Sequence, residues 1–144
     1  TNGYSLARKV LLPHFNVNDY IEELSSTLGE SLLAIHKSYL KIIEPLLLDT
    51  SLVAMSHITG GGLVENTERV IKKELKIKID WEAWETPYIF NLIQDKGNVP
   101  IEDMRRSFNL GLGMVLVVRK DSLANFESYL KENSQKYFLI GEIV

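Results

Sequence analysis

Leu52-Val53-Ala54-Met55-Ser56-His57-Ile58-Thr59-Gly60-Gly61-Gly62-Leu63-Val64-Glu65-Asn66 is the stretch that decides how this chain folds. Residues 52–58 form a short apolar run with the length of a buried strand. Past the glycines, Leu63, Val64, Thr67, Val70 and Ile71 recur at helical spacing. Glu65 with Arg69, and Glu68 with Lys72, add favourable pairs four residues apart. A strand, three glycines and a helix therefore follow one another. Glycine loses the most backbone freedom on folding, so a cluster marks positive φ or a close approach to the main chain. The start of a helix adds unpaired N–H groups and the positive end of a dipole. The combination suits a phosphate or another anion, and it equally suits a tight turn that binds nothing.

Working outward, residues 4–12 carry Leu6, Val10 and Ala7 or Leu11 on one face, with Asn2 as the expected N-cap and Pro13 as the stop. Residues 14–29 read as polar and irregular, with a short helical turn at 20–24. Residues 30–48 are rich in Leu and Ile but interrupted by Pro45, which predicts short helices around an extended piece at 39–41. Leu75, Ile77, Ile79 and Trp81 alternate with Lys76, Lys78 and Asp80, a strand with one face in water. Thr86-Pro87 predicts a capped helix that Gly97 ends. A short helix follows over 100–107, with Glu102 and Asp103 at its start and Arg105 and Arg106 at its end. Residues 112–118 read as a buried strand. Leu123, Phe126 and Leu130 mark a helix begun by Asp121 or Ser122, and residues 137–140 read as a last strand. The order predicts an α+β fold, a three-layer α/β/α arrangement in which helices cover a mixed sheet. No linker, repeat or low-complexity segment interrupts residues 1–144, which predicts one domain.

Composition narrows the function. The 144 residues suit a single domain with a real core, and a net charge of -3 argues against a nucleic-acid binder held by bulk electrostatics. No cysteine is present, which excludes disulfides and thiolate chemistry and fits a cytoplasmic setting. His14, His36 and His57 lack metal-ligand spacing, so no metal site is expected. No apolar run is long enough to span a membrane and no signal peptide is visible. The chain opens at Thr1-Asn2-Gly3 and ends at Glu142-Ile143-Val144, which reads as a piece of a longer protein.

The glycine triplet lacks the Gly-Lys-Ser/Thr ending of a Walker A loop and does not fit Gly-x-Gly-x-x-Gly. It therefore does not by itself specify a nucleotide. His57 at the strand end reads first as a half-buried histidine hydrogen-bonded to main chain, and only second as a candidate acid or base. Asn109-Leu110-Gly111-Leu112-Gly113 either admits a ligand or makes a tight strand entry. Arg105 and Arg106 could bind an anion, but a solvated helix end, where cations favour the dipole, is the simpler explanation.

Five blocks carry a resemblance. Thr1-Asn2-Gly3-Tyr4-Ser5-Leu6-Ala7-Arg8-Lys9, the segment from His57 to Asn66, Gly97-Asn98-Val99, Met104-Arg105-Arg106-Ser107-Phe108-Asn109-Leu110-Gly111-Leu112-Gly113-Met114 and Ile140-Gly141-Glu142-Ile143 resemble the C-terminal domain of the phosphoribosylformylglycinamidine cyclo-ligase (aminoimidazole ribonucleotide synthetase) family. The blocks come in the family's order across essentially the whole chain. The resemblance implies a partly ferredoxin-like topology. It also implies an ATP- and Mg2+-dependent ligase of purine biosynthesis that closes the imidazole ring of formylglycinamidine ribonucleotide. ATP, Mg2+ and the homodimer contact are implied for a separate N-terminal domain, so this piece alone is expected to be inactive, with no cofactor bound. The implied substrate is a small-molecule ribonucleotide, and neither nucleic acid nor membrane is an expected partner. Asn2, Gly3, Thr59, Gly60, Gly61, Gly62, Asn66 and Asn109 are the expected lining of the phosphate and ribose side of the cleft. The catalytic group is not identified beyond His57. The chain departs from the family at Ile35-His36, where a Pro-Thr pair is usual ahead of Tyr39-Leu40-Lys41, and no ligand contact is carried over there. The rival readings are a related ATP-dependent enzyme, such as formylglycinamidine ribonucleotide amidotransferase or selenophosphate synthetase, and a non-catalytic α+β binding module.

Overall fold

The computed structural model describes residues 2–144. The chain divides into two compact units. The first contains residues 1–36, 59–63 and 86–112, and the second contains residues 37–58, 64–85 and 113–144.

In the first unit, helix α1 (Tyr4–Leu11) buries Ala7 and Leu11, the face that the apolar spacing anticipates. Asn2 is not its cap. Gly3 holds the N-cap position with φ 88°, and no side chain caps the helix. Strands β1 (Tyr20–Ile21) and β2 (Ser26–Thr27) pair antiparallel around a single 3-10 turn, Glu22–Leu24. The helical turn expected at 20–24 is thus half strand. Thr27 then starts α2 (Leu28–Leu32) through a reciprocal capping box. Its hydroxyl accepts from the Glu30 amide at 3.2 Å, and the Glu30 carboxylate accepts from the Thr27 amide at 2.8 Å. This helix lies partly in the segment expected to be irregular.

Helix α5 (Tyr88–Gly97) buries Leu92 and Ile93 and packs against α1. Gly97 lies against Val10, and a Cβ there would come within 2.7 Å of a Val10 methyl. Its lack of a side chain therefore serves packing, while Asn98 takes the left-handed C-cap at φ 44°. Helix α6 (Ile101–Ser107) buries Met104, and the following Phe108 tilts against Phe90 with ring centroids 5.4 Å apart. Fully burying a side chain of this size contributes about 1.5–3 kcal/mol, so Leu11, Leu28, Ile93 and Met104 anchor this unit.

In the second unit, residues 39–41 are not extended. Tyr39 has helical φ and ψ and leads into α3 (Leu40–Ile43), which tightens into a 3-10 turn at Glu44–Leu46 where Pro45 enters. Strand β3 (Leu52–His57) pairs antiparallel with β5 (Met114–Val118), with Met55 opposite Leu116, His57 opposite Met114 and an irregularity between Leu52 and Ala54. Helix α4 (Gly62–Glu68) begins at the third glycine, with Gly62 and Leu63 in the first unit and residues 64–68 in the second, and stops short of Val70 and Ile71. Strand β4 (Ile77–Ile79) pairs antiparallel with β6 (Gly141–Ile143). Helix α7 (Leu123–Glu132) buries Phe126 and Leu130, and its Tyr129 hydroxyl donates to the Ile42 carbonyl at 2.9 Å.

The α+β class is the one observed. The mixed sheet expected from the element order is not: among the described residues the strands form three separate antiparallel pairs. The last strand lies at 141–143 rather than 137–140. Gly141 sits so close over the Lys78 carbonyl that a Cβ would overlap it, and that approach sets the register of Ile79 against Gly141.

Candidate functional site

The glycine loop of the first unit is held by the main chain of α6. The Gly61 amide donates to the Arg106 carbonyl at 2.9 Å, and the Gly62 amide donates to the Thr59 carbonyl at 3.1 Å. Gly61 and Gly62 have φ of 100° and 66°, so the positive-φ reading of the triplet holds for these two. A Cβ on Gly62 would overlap the Arg105 carbonyl oxygen. One on Gly60 would meet the side-chain amide of Asn2. One on Gly3 would strike the ring of Phe108. The loop is therefore packed between the start of α1 and the end of α6. Two of its amides are spent on internal bonds.

Asn109 follows immediately. Its Oδ1 accepts from the Gly111 amide at 3.0 Å, and its carbonyl accepts from Leu112 at 3.0 Å. This is an Asx-type turn that carries Leu110 and Gly111 through φ of 50° and 97°. A buried leucine in the left-handed region is unusual and costs about 1–3 kcal/mol. The Oδ1 contact also fixes which way the Asn109 amide faces, leaving Nδ2 as the donor available to a ligand.

Of the residues expected to line a site, Asn2, Gly3, Thr59, Gly60, Gly61, Gly62 and Asn109 thus fall in one unit. Asn66 and His57 fall in the other. Asn66 is buried on α4, and its Oδ1 lies 3.4 Å from Arg69. His57 is an exposed residue at the end of β3. Its neighbour Ile58 donates to the Gly113 carbonyl at 2.9 Å.

The two arginines at the end of α6 differ. Arg105 is ion-paired with Glu102 at 2.7 Å. Arg106 is exposed and has no carboxylate partner among the described residues. The sequence shows the pair of arginines but not that the Arg106 main chain secures the glycine loop.

Residues 1–144 match the family described as "AIR synthase related protein, C-terminal domain". The chain belongs to this family. Among similar curated proteins, a phosphoribosylformylglycinamidine cyclo-ligase of Pseudothermotoga lettingae is 44% identical over 144 residues, covering 100% of this chain and 42% of the relative. The cyclo-ligase of Caldanaerobacter subterraneus subsp. tengcongensis is 40% identical over 146 residues, covering 100% of this chain and 43% of the relative. That of Syntrophotalea carbinolica is 43% identical over 145 residues, covering 99% and 41%. The chain therefore spans about two fifths of the length of these relatives. No helix among the described residues is long and apolar enough to cross a membrane.

Proposed function

We propose that this chain is the C-terminal domain of a two-domain, ATP-dependent cyclo-ligase. The whole enzyme would close the imidazole ring of formylglycinamidine ribonucleotide and release aminoimidazole ribonucleotide, ADP and phosphate. One observation carries the proposal: sequence blocks far apart in a chain that matches the family from end to end meet in one unit, where residues 2–3 and 105–109 enclose the glycine loop. Asn2, Gly3, Thr59, Gly60, Gly61, Gly62 and Asn109 are proposed to face the phosphate and ribose of the substrate. Asn109 contributes a pre-aligned N–H donor, since its other amide atom is already engaged. Asn66 and His57 are candidates on the family resemblance alone.

The residues present do not suit ATP or Mg2+. A hard divalent cation takes several oxygen ligands, and no group of three or more suitable side chains is assembled among the described residues. Nor does the loop offer the Gly61 and Gly62 amides to a triphosphate, because both are bonded internally. On the family resemblance, ATP, Mg2+ and the dimer contact are assigned to the remainder of a longer protein, working in the cytoplasm. ATP would activate the formyl oxygen there as a leaving group, and this domain would hold the ribonucleotide.

The test is ring closure by the full-length protein supplied with the ribonucleotide, ATP and Mg2+, with aminoimidazole ribonucleotide and ADP measured together. Equal amounts of the two products are expected. ADP released without ring closure would overturn the assignment. The 144-residue chain alone should give no turnover, because bringing ATP to the formyl oxygen of the ribonucleotide needs both domains.

A further inference from the structure

We infer that the Arg106 guanidinium is the charged group that holds the substrate's phosphate monoester in this domain. The inference rests on the function proposed above and deepens it.

A phosphate dianion needs either several main-chain N–H groups or a cationic side chain. At least two amides of the glycine loop are not available for the first. The Gly61 amide is bonded to Arg106 and the Gly62 amide to Thr59, and α4 spans only 7 residues. A side chain must then bring the charge. Arg105 is engaged with Glu102. Arg106 is not engaged with any carboxylate among the described residues, and its side chain is exposed. Its own carbonyl receives the Gly61 amide, so its backbone is fixed to the loop where Asn2 also lies against Gly60. A guanidinium on a tethered backbone loses less freedom on binding than one on a mobile loop, and its planar fork matches two phosphate oxygens. Asn2 and Asn109 would then add neutral donors beside it.

The test uses the full-length protein and two probes, the ribonucleotide and its dephosphorylated ribonucleoside. Arg106→Met should raise the KM for the ribonucleotide by about 10–100-fold, the range expected on losing a charge-assisted contact, with the KM for ATP within about twofold. Affinity for the ribonucleoside should be the same in both proteins, because the lost partner is the phosphate. Arg106→Lys should recover part of the loss, and Lys9→Gln, an exposed α1 cation, should behave as wild type. An unchanged ribonucleotide KM in a folded Arg106→Met protein overturns the inference, as does an equal loss for nucleotide and nucleoside. Titration of ribose 5-phosphate into wild-type and Arg106→Met protein decides the matter separately. If wild type closes no ring, the proposed function fails. Arg106 still stands if ribose 5-phosphate binds wild type and not the variant, and it falls if both bind alike or neither binds.

Discussion

Gly62→Ala tests whether the glycine loop is built as described. Gly62 has φ of 66°, and moving an alanine into the left-handed region costs about 1–2 kcal/mol. The added methyl would also overlap the Arg105 carbonyl oxygen and come within 2.8 Å of its carbon. That obstacle is backbone at the end of α6, so relief requires moving the helix end. Moving it lengthens or breaks the bond from the Gly61 amide to Arg106, worth about 0.5–1.5 kcal/mol. The sum is about 3 kcal/mol, or about a 10 °C fall in melting temperature for a chain of this size. Gly60→Ala is the internal control. Its methyl meets the flexible amide of Asn2, which can swing aside, so its melting temperature should fall by only about 2 °C. Differential scanning calorimetry of wild type and both variants reads the contrast. Equal melting temperatures for the two variants, or a Gly62→Ala protein as stable as wild type, would refute the packing argument.

Three further outcomes follow from particular side chains. Thr67 is fully buried and its hydroxyl has no hydrogen-bond partner, so Thr67→Val should raise stability by about 1 kcal/mol in urea denaturation. Ser134 has φ of 52° just past the end of α7, and Ser134→Gly should raise the melting temperature slightly, by about 0.5–1 kcal/mol of relieved backbone strain. The Thr27 amide and then its hydroxyl, bonded to the Glu30 carboxylate, hold the Glu30 pKa below the ordinary glutamate value of 4.5. The stability this confers is complete above that value and disappears as pH falls through the lowered one; a Glu30→Gln protein should lack that part of the acid loss, and identical acid-unfolding curves would contradict it.

Much of the fold is legible because local rules and tertiary contacts agree. The apolar spacing of α1 and α7 anticipates side chains that are buried, and the strand-glycine-helix order around residue 60 appears as read. The failures have physical causes. Asn2 is a good N-cap residue by type, yet Gly3 takes the position because only a residue without Cβ fits against the Phe108 ring. The capping box of Thr27 and Glu30 is a local signal at the right spacing, hidden within a stretch whose polar composition reads as loop. Gly141 lies just past the expected strand at 137–140 and instead opens β6, because it pairs with Ile79, more than sixty positions away in sequence. The first and last of these are places where a close approach between distant segments outweighs the local preference.

The end of α6 shows how far that reasoning reaches into the site. Glu102 precedes Arg105 by three positions and Arg106 by four, and Asp103 precedes Arg106 by three. Helical spacing therefore offers a carboxylate to both arginines, and the sequence cannot choose between them. The structure pairs Glu102 with Arg105 and uses the Arg106 carbonyl for the glycine loop. A surface pair of this kind contributes little to stability, typically about 0.2–1 kcal/mol. Its larger consequence is to occupy one cation and leave the other uncommitted beside the loop. Glu102→Gln would remove that pair and one negative charge at the same helix end. If the charge near the loop governs anion affinity, that variant should bind ribose 5-phosphate as tightly as wild type or more so, and an added dependence on ionic strength should accompany any gain. Weaker binding in Glu102→Gln would mean that the Glu102–Arg105 pair itself shapes the loop, and that charge at this helix end is secondary to its geometry.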